Sequence, residues 1–137
     1  MIGQATLTGG TLVLDSEGLA LAVQRDRDVN TWLALARADD IRVVTSAATL
    51  VEVVHPRISR PALAWTLSRL VVEPVTESIA RHATELLADA GMHGHRHALD
   101  ATLAATALAA EKPVTVLTSD PVDLSALCQG RALVMKL

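Results

Sequence analysis

The chain has 137 residues, a formal net charge of −3 at pH 7, 50% apolar residues and one cysteine. A chain of this length forms one domain and buries roughly 70% of its unfolded surface, so it needs no disulfide. The negative charge excludes a surface that binds polyanions over its whole area, and the lack of Phe and Tyr disfavours a stacking platform for single-stranded bases. The sequence has neither a signal-peptide pattern nor the ~18-residue apolar run that spans a bilayer, so we expect a cytoplasmic protein.

Strands and helices are predicted to alternate along the chain. Residues 1–10 are predicted to be a flexible lead-in and residues 11–137 a single domain. Short apolar runs predict strands at 11–14, 41–45, 70–75, 114–118 and 132–137. Helical patterns occur at 28–39, 46–54, 60–70, 76–90, 97–111 and 120–128. The alternation predicts an α/β domain around a mostly parallel sheet, and the nearly continuous Val, Leu and Ile of several strands suit a sheet covered on both faces.

Polar residues gather where the predicted strands end. Asp15 follows the first strand in "VLDS", and Asp120 follows the fourth in "VLTSD". In an open parallel sheet, ligands bind outside the carboxyl ends of the strands. Both acids also fit as N-caps of the helices that follow, and the same capping interpretation applies to the neighbouring hydroxyls. These hydroxyls belong to Ser16, Thr45, Ser46, Thr118 and Ser119.

Two further acids lie in apolar surroundings. Glu52 is flanked by valines and a leucine in the helix predicted at 46–54, and Asp100 faces Leu103 and Ala104 near the start of "HALDATLAATALAAE". A buried, unpaired carboxylate costs several kcal/mol or becomes neutral. A first-turn acid that favours the helix dipole is the alternative for Asp100, and a surface position is the alternative for Glu52.

One explanation covers all four acids, namely that they converge on a hard divalent cation. Mg²⁺ and Mn²⁺ prefer carboxylate and water oxygens, and such sites serve phosphate chemistry. The candidate metal ligands and catalytic residues are therefore Asp15, Glu52, Asp100 and Asp120.

The same motifs resemble a known family. The order "VLDS", "LVEVV", "ALDATLAATAL" and "VLTSDPVDL" is similar to that of the PIN domain, and within it to the VapC-like toxins of bacterial toxin–antitoxin pairs. The resemblance extends over residues 11–137 and is most specific in 97–108 and 114–124. Glu17 departs from the pattern, because PIN domains commonly have a hydroxyl there, and it is either a fifth acid or a helix-start charge.

The resemblance implies a three-layer α/β/α fold with four to five mostly parallel strands. It also implies a Mg²⁺- or Mn²⁺-dependent endoribonuclease that hydrolyses RNA to 5′-phosphate and 3′-hydroxyl ends. Such toxins form homodimers and are inhibited by a cognate antitoxin. By the resemblance, Asp15 and Asp100 match the positions most associated with metal, Glu52 and Asp120 complete the acidic quartet, and Asp123 matches an auxiliary acid.

Three other features have competing interpretations. The "HGHRH" segment, with His93, His95 and His97, is interpreted as a solvated loop, with a phosphate contact through Arg96 or a transition-metal site as alternatives. Trp65 is placed either at a dimer or antitoxin contact or in the core, and the arginines near it either steer RNA phosphates or are solvated. Cys128 is expected to be an inert thiol.

Two other classes of function compete with the nuclease. One is a non-catalytic PIN-like module that binds a protein partner. The other is a phosphorylatable receiver-like domain, which would need a Lys directly after a late strand. That position is not filled, because Lys112 precedes its strand and Lys136 is near the chain end.

Overall fold

The computed structural model describes residues 9–137, which form an α/β domain with a five-stranded, all-parallel sheet in the order β3-β2-β1-β4-β5. The strands are β1 (Thr11–Leu14), β2 (Arg42–Ser46), β3 (Val71–Glu73), β4 (Val114–Thr118) and β5 (Leu133–Lys136). The helices are α1 (Ser16–Val23), α2 (Arg27–Ala38), α3 (Thr49–Val53), α4 (Arg60–Leu67), α5 (Glu77–Ala90), α6 (Gly94–Ala109) and α7 (Pro121–Cys128).

The two central strands are enclosed on both faces. Every residue of β1 and β4 is buried, and the two strands pair in register from Thr11 opposite Val114 to Leu14 opposite Leu117. This burial explains their continuous apolar sequences, since a strand covered on both faces has no solvent-facing positions for polar residues. The prediction of a doubly covered, mainly parallel sheet is confirmed.

Each face of the sheet has its own apolar layer. On one face, Val13 and Val116 pack with the buried side of α6 around Ala104 and with α5 and α7 through Leu86 and Leu124. On the other face, Leu12, Leu14 and Leu117 pack with Val29, Trp32 and Ala36 of α2. The α2 residues are the apolar face that their helical spacing predicts.

A glycine allows the chain to enter β1 closely against the start of β4. Gly10 has φ +83°, and a Cβ there would lie 1.9 Å from the carbonyl oxygen of Pro113. The backbone N–H of Thr11 donates to that same carbonyl at 3.0 Å. Only glycine tolerates both the backbone conformation and the close approach.

Several element boundaries differ from the sequence predictions for identifiable reasons. The helix predicted at 97–111 begins at Gly94, so the loop interpretation of "HGHRH" is wrong for its last four residues. The third strand is shorter than 70–75 because Pro74 follows Glu73 and has no N–H for the ladder. The helix predicted at 46–54 covers only Thr49–Val53, since Ser46 is still paired with Glu73 in the sheet.

The extent of α1 was not predicted, although Asp15 was interpreted as a cap for a helix following the first strand. Most of the lead-in predicted at 1–10 lies outside the described residues. Within the described part of the chain, no helix combines the length and the apolar character needed to cross a bilayer.

Candidate metal centre

The carboxyl ends of the central strands meet at one edge of the sheet, and Asp15 lies there. Its side chain is only 7% exposed. Oδ1 accepts a hydrogen bond from the backbone N–H of Gly18 at 2.7 Å and so caps α1, while Oδ2 accepts one from the backbone N–H of Ser119 at 3.1 Å. Asp15 is therefore a cap, as one interpretation predicted, and also a link between the ends of β1 and β4.

Two buried threonines fix the backbone on either side of this link. Thr45 Oγ1 donates to the carbonyl oxygen of Leu14 at 2.8 Å, so Thr45 braces β1 rather than capping a helix as predicted. Thr118 Oγ1 accepts from the backbone N–H of Asp120 at 2.9 Å. Both side chains are fully buried, so these bonds hold the turns that carry Asp15 and Asp120.

A group of three potential ligands lies where α6 and α7 meet. His97, Asp100 and Asp123 each offer one ligand atom, and these atoms all lie within 4.8 Å of one another. His97 Nδ1 is 3.5 Å from Asp123 Oδ2 and 4.0 Å from Asp100 Oδ2. The three side chains are 19%, 27% and 33% exposed for His97, Asp123 and Asp100, so they are half-buried but open to a solvent ion.

The backbone of α6 bends at this group. His97 has φ −119° and ψ 18°, which is not helical, and it separates the first turn of α6 from the long alanine-rich part that carries Asp100. His97 and Asp100 are three residues apart, so both still lie on one side of the helix.

Asp100 has an unusual electrostatic environment. Desolvation by burial, followed by the negative charges of Asp120, Asp123 and Glu52, raises its pKa to about 6 from an ordinary 3.8, while His97 opposes the rise. The pKa of Asp123 is also raised, first by desolvation and then by a hydrogen bond and charge repulsion from Asp120. Crowded carboxylates repel one another when no cation lies between them, and this repulsion raises their pKa values.

The four predicted acids lie near the same edge of the sheet, but they differ in their burial and in their contacts. Asp100, Asp120 and Glu52 lie within electrostatic reach of one another, with Asp120 capping α7 by accepting from the N–H of Asp123 at 3.3 Å. Glu52 is exposed on α3, as its surface alternative predicted. Among residues 9–137, the tight ligand group includes Asp100 alone of the four, and Asp15 is not among the charges that raise its pKa.

Sequence reasoning missed the place of His97 in this group. The segment "HALD" contained the signal, because a His three residues before an Asp on one helix lies beside it. His93 and His95 are exposed and their rings lie 5.9 Å apart, outside the group as far as the described residues show.

The burial of Cys128 and Trp65 bears on the expectations for both residues. Cys128 is fully buried, and burial raises the pKa of its thiol to about 11, which supports the expectation of an inert thiol. Trp65 is 47% exposed, which rules out the core alternative. The guanidinium carbons of Arg25 and Arg69 lie 5.7 and 4.8 Å from the centre of its ring.

Comparison with known proteins shows that this chain shares its fold with a solved structure. No protein-family model and no curated protein matches the sequence. A chain in the crystal structure of VapBC2 from Rickettsia felis bound to a DNA fragment from their promoter is similar, with a TM-score of 0.70 and 17% sequence identity. The similarity covers 93% of this chain and 98% of that chain, so the two share a fold over nearly their whole lengths.

Proposed function

We propose that the protein is a divalent-metal-dependent endoribonuclease with a PIN-like fold, and that it is the toxin of a toxin–antitoxin pair. The observation that carries the proposal is the group of His97, Asp100 and Asp123, whose ligand atoms all lie within 4.8 Å of one another, together with the nearby carboxylates of Asp120 and Glu52. Such a concentration of negative charge is unfavourable unless a cation balances it.

The chemistry of the donor set fits a divalent cation. Asp100 and Asp123 offer carboxylate oxygens, and His97 offers an imidazole nitrogen. These three atoms all lie within 4.8 Å of one another. Carboxylates suit Mg²⁺ and Mn²⁺, and an added imidazole favours Mn²⁺ over Mg²⁺. We propose Asp15, Glu52, Asp100 and Asp120 as the metal-binding and catalytic acids, with His97 and Asp123 beside them.

A bound cation of this kind supplies activation of a water molecule and balances negative charge on the scissile phosphate. The residues of the chain supply the arrangement around it. Asp15 is held by two backbone N–H groups, so its remaining lone pairs keep a fixed direction. Asp100 is fixed by the packed alanines of α6, among which Ala101 and Ala104 are fully buried.

The remaining acids are more exposed and suit a different role. Glu52 and Asp120 are exposed to solvent, so each can orient a water molecule at the site or accept a proton from it. A cation and a proton compete for Asp100, whose pKa is raised to about 6, so cation binding should strengthen as the pH rises through this range.

The proposed partners are RNA as substrate, a cognate antitoxin protein and a second copy of the chain. The fold shared with a chain of the VapBC2 structure supports an antitoxin partner. A cytoplasmic location follows from the proposed substrate, because such a toxin acts on cellular RNA.

The direct test is cleavage of RNA by the purified protein with Mn²⁺ or Mg²⁺. We expect cleavage that EDTA abolishes, 5′-phosphate products, and at least a hundred-fold loss of kcat in Asp100→Asn. Asp39→Asn is the matched control, since Asp39 is exposed at the end of α2. Equal cleavage by wild type and Asp100→Asn would exclude the proposed function.

One observation favours a non-catalytic module that binds a protein partner. Asp15 and Asp120 both cap helices, which is a purely structural use of a carboxylate. In that case Mn²⁺ would not bind to the folded protein, and isothermal titration calorimetry would show no heat that depends on Asp100.

A further inference from the structure

A cleft of about 490 Å³ lies between α1 and the segment that joins α3 to α4. Ser16, which follows Asp15, and Glu52 are among the residues that line it. Glu52 is one of the charges that raise the pKa of Asp100, so the cleft begins within electrostatic reach of the proposed reaction centre.

The cleft is lined by side chains of both charges. Glu17 and Glu52 are negative, whereas Arg57 is positive and His55 stands close to it in the connecting segment. Arg57 is exposed, and the ion pairs within residues 9–137 do not include it. Its guanidinium is therefore free to bind an anion, and guanidinium groups match phosphate in geometry.

Two hydrogen bonds hold the connecting segment around His55 and Arg57. The backbone N–H of Arg57 donates to His55 Nδ1 at 3.2 Å, and the N–H of Ile58 donates to the His55 carbonyl at 3.1 Å. Because Nδ1 accepts, the neutral imidazole has its proton on Nε2, which leaves a second N–H donor in the cleft. Ile58 adds an apolar surface beside these donors.

We propose that this cleft holds the nucleotide adjacent to the cleaved bond in a single-stranded RNA, with Arg57 as the positioning residue for its phosphate. This inference rests on the proposed ribonuclease function. The volume of about 490 Å³ is that of a small-molecule site, so the cleft accommodates one nucleotide of a single strand and not a duplex. Glu17 and Glu52 repel phosphate, so Arg57 is the residue that attracts the strand.

The test measures KM and kcat for a short single-stranded RNA at several salt concentrations with Mn²⁺. We expect Arg57→Ala to raise KM about five- to ten-fold with kcat nearly unchanged. We also expect the slope of log KM against log salt to fall by about 0.7, the value for one lost phosphate contact on a single strand. Arg57→Lys should recover part of the affinity. Arg60→Ala is the control, because Arg60 is exposed nearby and does not line the cleft.

Two results would overturn the inference while leaving the proposed function intact. One is wild-type KM in Arg57→Ala, and the other is an equal loss in Arg60→Ala, which would indicate diffuse charge attraction. Equal KM values for the single strand and for its duplex would refute the size argument.

If wild type cleaves no RNA, the proposed function fails first. Fluorescence anisotropy of the labelled RNA with Asp100→Asn and with the Asp100→Asn, Arg57→Ala double variant then measures the cleft alone. A five- to ten-fold weaker binding by the double variant supports Arg57 as the residue that binds the strand in the cleft, and equal binding refutes that role.

Discussion

Replacing Asp100 by Asn should stabilise the protein when no metal is present. Asp100 has a pKa of about 6 in the folded chain and 3.8 as its ordinary value. If the side chain were fully enclosed, keeping it ionised at neutral pH would cost about 3 kcal/mol of folding free energy. The side chain is 33% exposed, so solvent screening reduces this cost to about 1 kcal/mol.

The sign of the pH dependence follows from the direction of the shift. A raised carboxyl pKa means that the folded chain binds the proton more tightly than the unfolded chain. The cost is therefore absent below about pH 3.8, grows between pH 3.8 and 6, and stays constant above. Asp100→Asn removes the cost, so its advantage should be about 1 kcal/mol at pH 7.5, about 3 to 4 °C in Tm, and near zero at pH 4.

Urea denaturation in EDTA at pH 4 and pH 7.5 measures this difference. Comparing variants at each pH cancels the general effect of acid on the fold, and Asp39→Asn should match wild type at both values. Addition of Mn²⁺ at a hundred times its Kd should then stabilise wild type by about 2.7 kcal/mol and Asp100→Asn by much less. A loss of more than 1 kcal/mol in metal-free Asp100→Asn would refute the reasoning, because Asp100 would then be a structural ion-pair partner of His97.

Three further predictions follow from other residues. Thr45→Val should destabilise the protein by about 1 to 3 kcal/mol in urea unfolding, because it leaves the buried Leu14 carbonyl without its 2.8 Å partner; an unchanged midpoint would contradict this. His97→Asn should weaken Mn²⁺ binding more than Mg²⁺ binding in calorimetric titrations, since only the imidazole distinguishes the two ions. Cys128 should react with a thiol reagent only at the rate of unfolding, since it is fully buried; fast labelling of folded protein would argue against it.

The sequence was informative wherever a signal was local. Continuous apolar runs located β1 and β4, because buried strands exclude polar residues. The capping of α1 by Asp15 and of α7 by Asp120 was also predictable, since each depends on residues three positions apart.

The rest of the site depends on contacts between distant parts of the chain. The Asp15 bond to Ser119 joins residues 104 positions apart, and Thr45 reaches Leu14 across 31 positions. No periodicity in the sequence encodes such pairs. The first turn of α6 was missed because "HGHRH" has glycine and little apolar periodicity. Its neighbours are distant in sequence, since Gly94 lies beside Leu87 of α5 and His97 Nδ1 lies 3.5 Å from Asp123 of α7.

The hydrogen bond from Ser119 to Asp15 also determines how much of the chain must be synthesised before the site can form. β1 lies between β2 and β4, and Ser119, in the turn after β4, follows Asp15 by 104 positions in the chain. A growing chain on the ribosome therefore has Asp15 without its second partner and lacks Asp120 and Asp123 altogether. The acidic edge therefore assembles only after residues up to Asp123 have been synthesised, and a shorter nascent chain lacks the complete group of carboxylates.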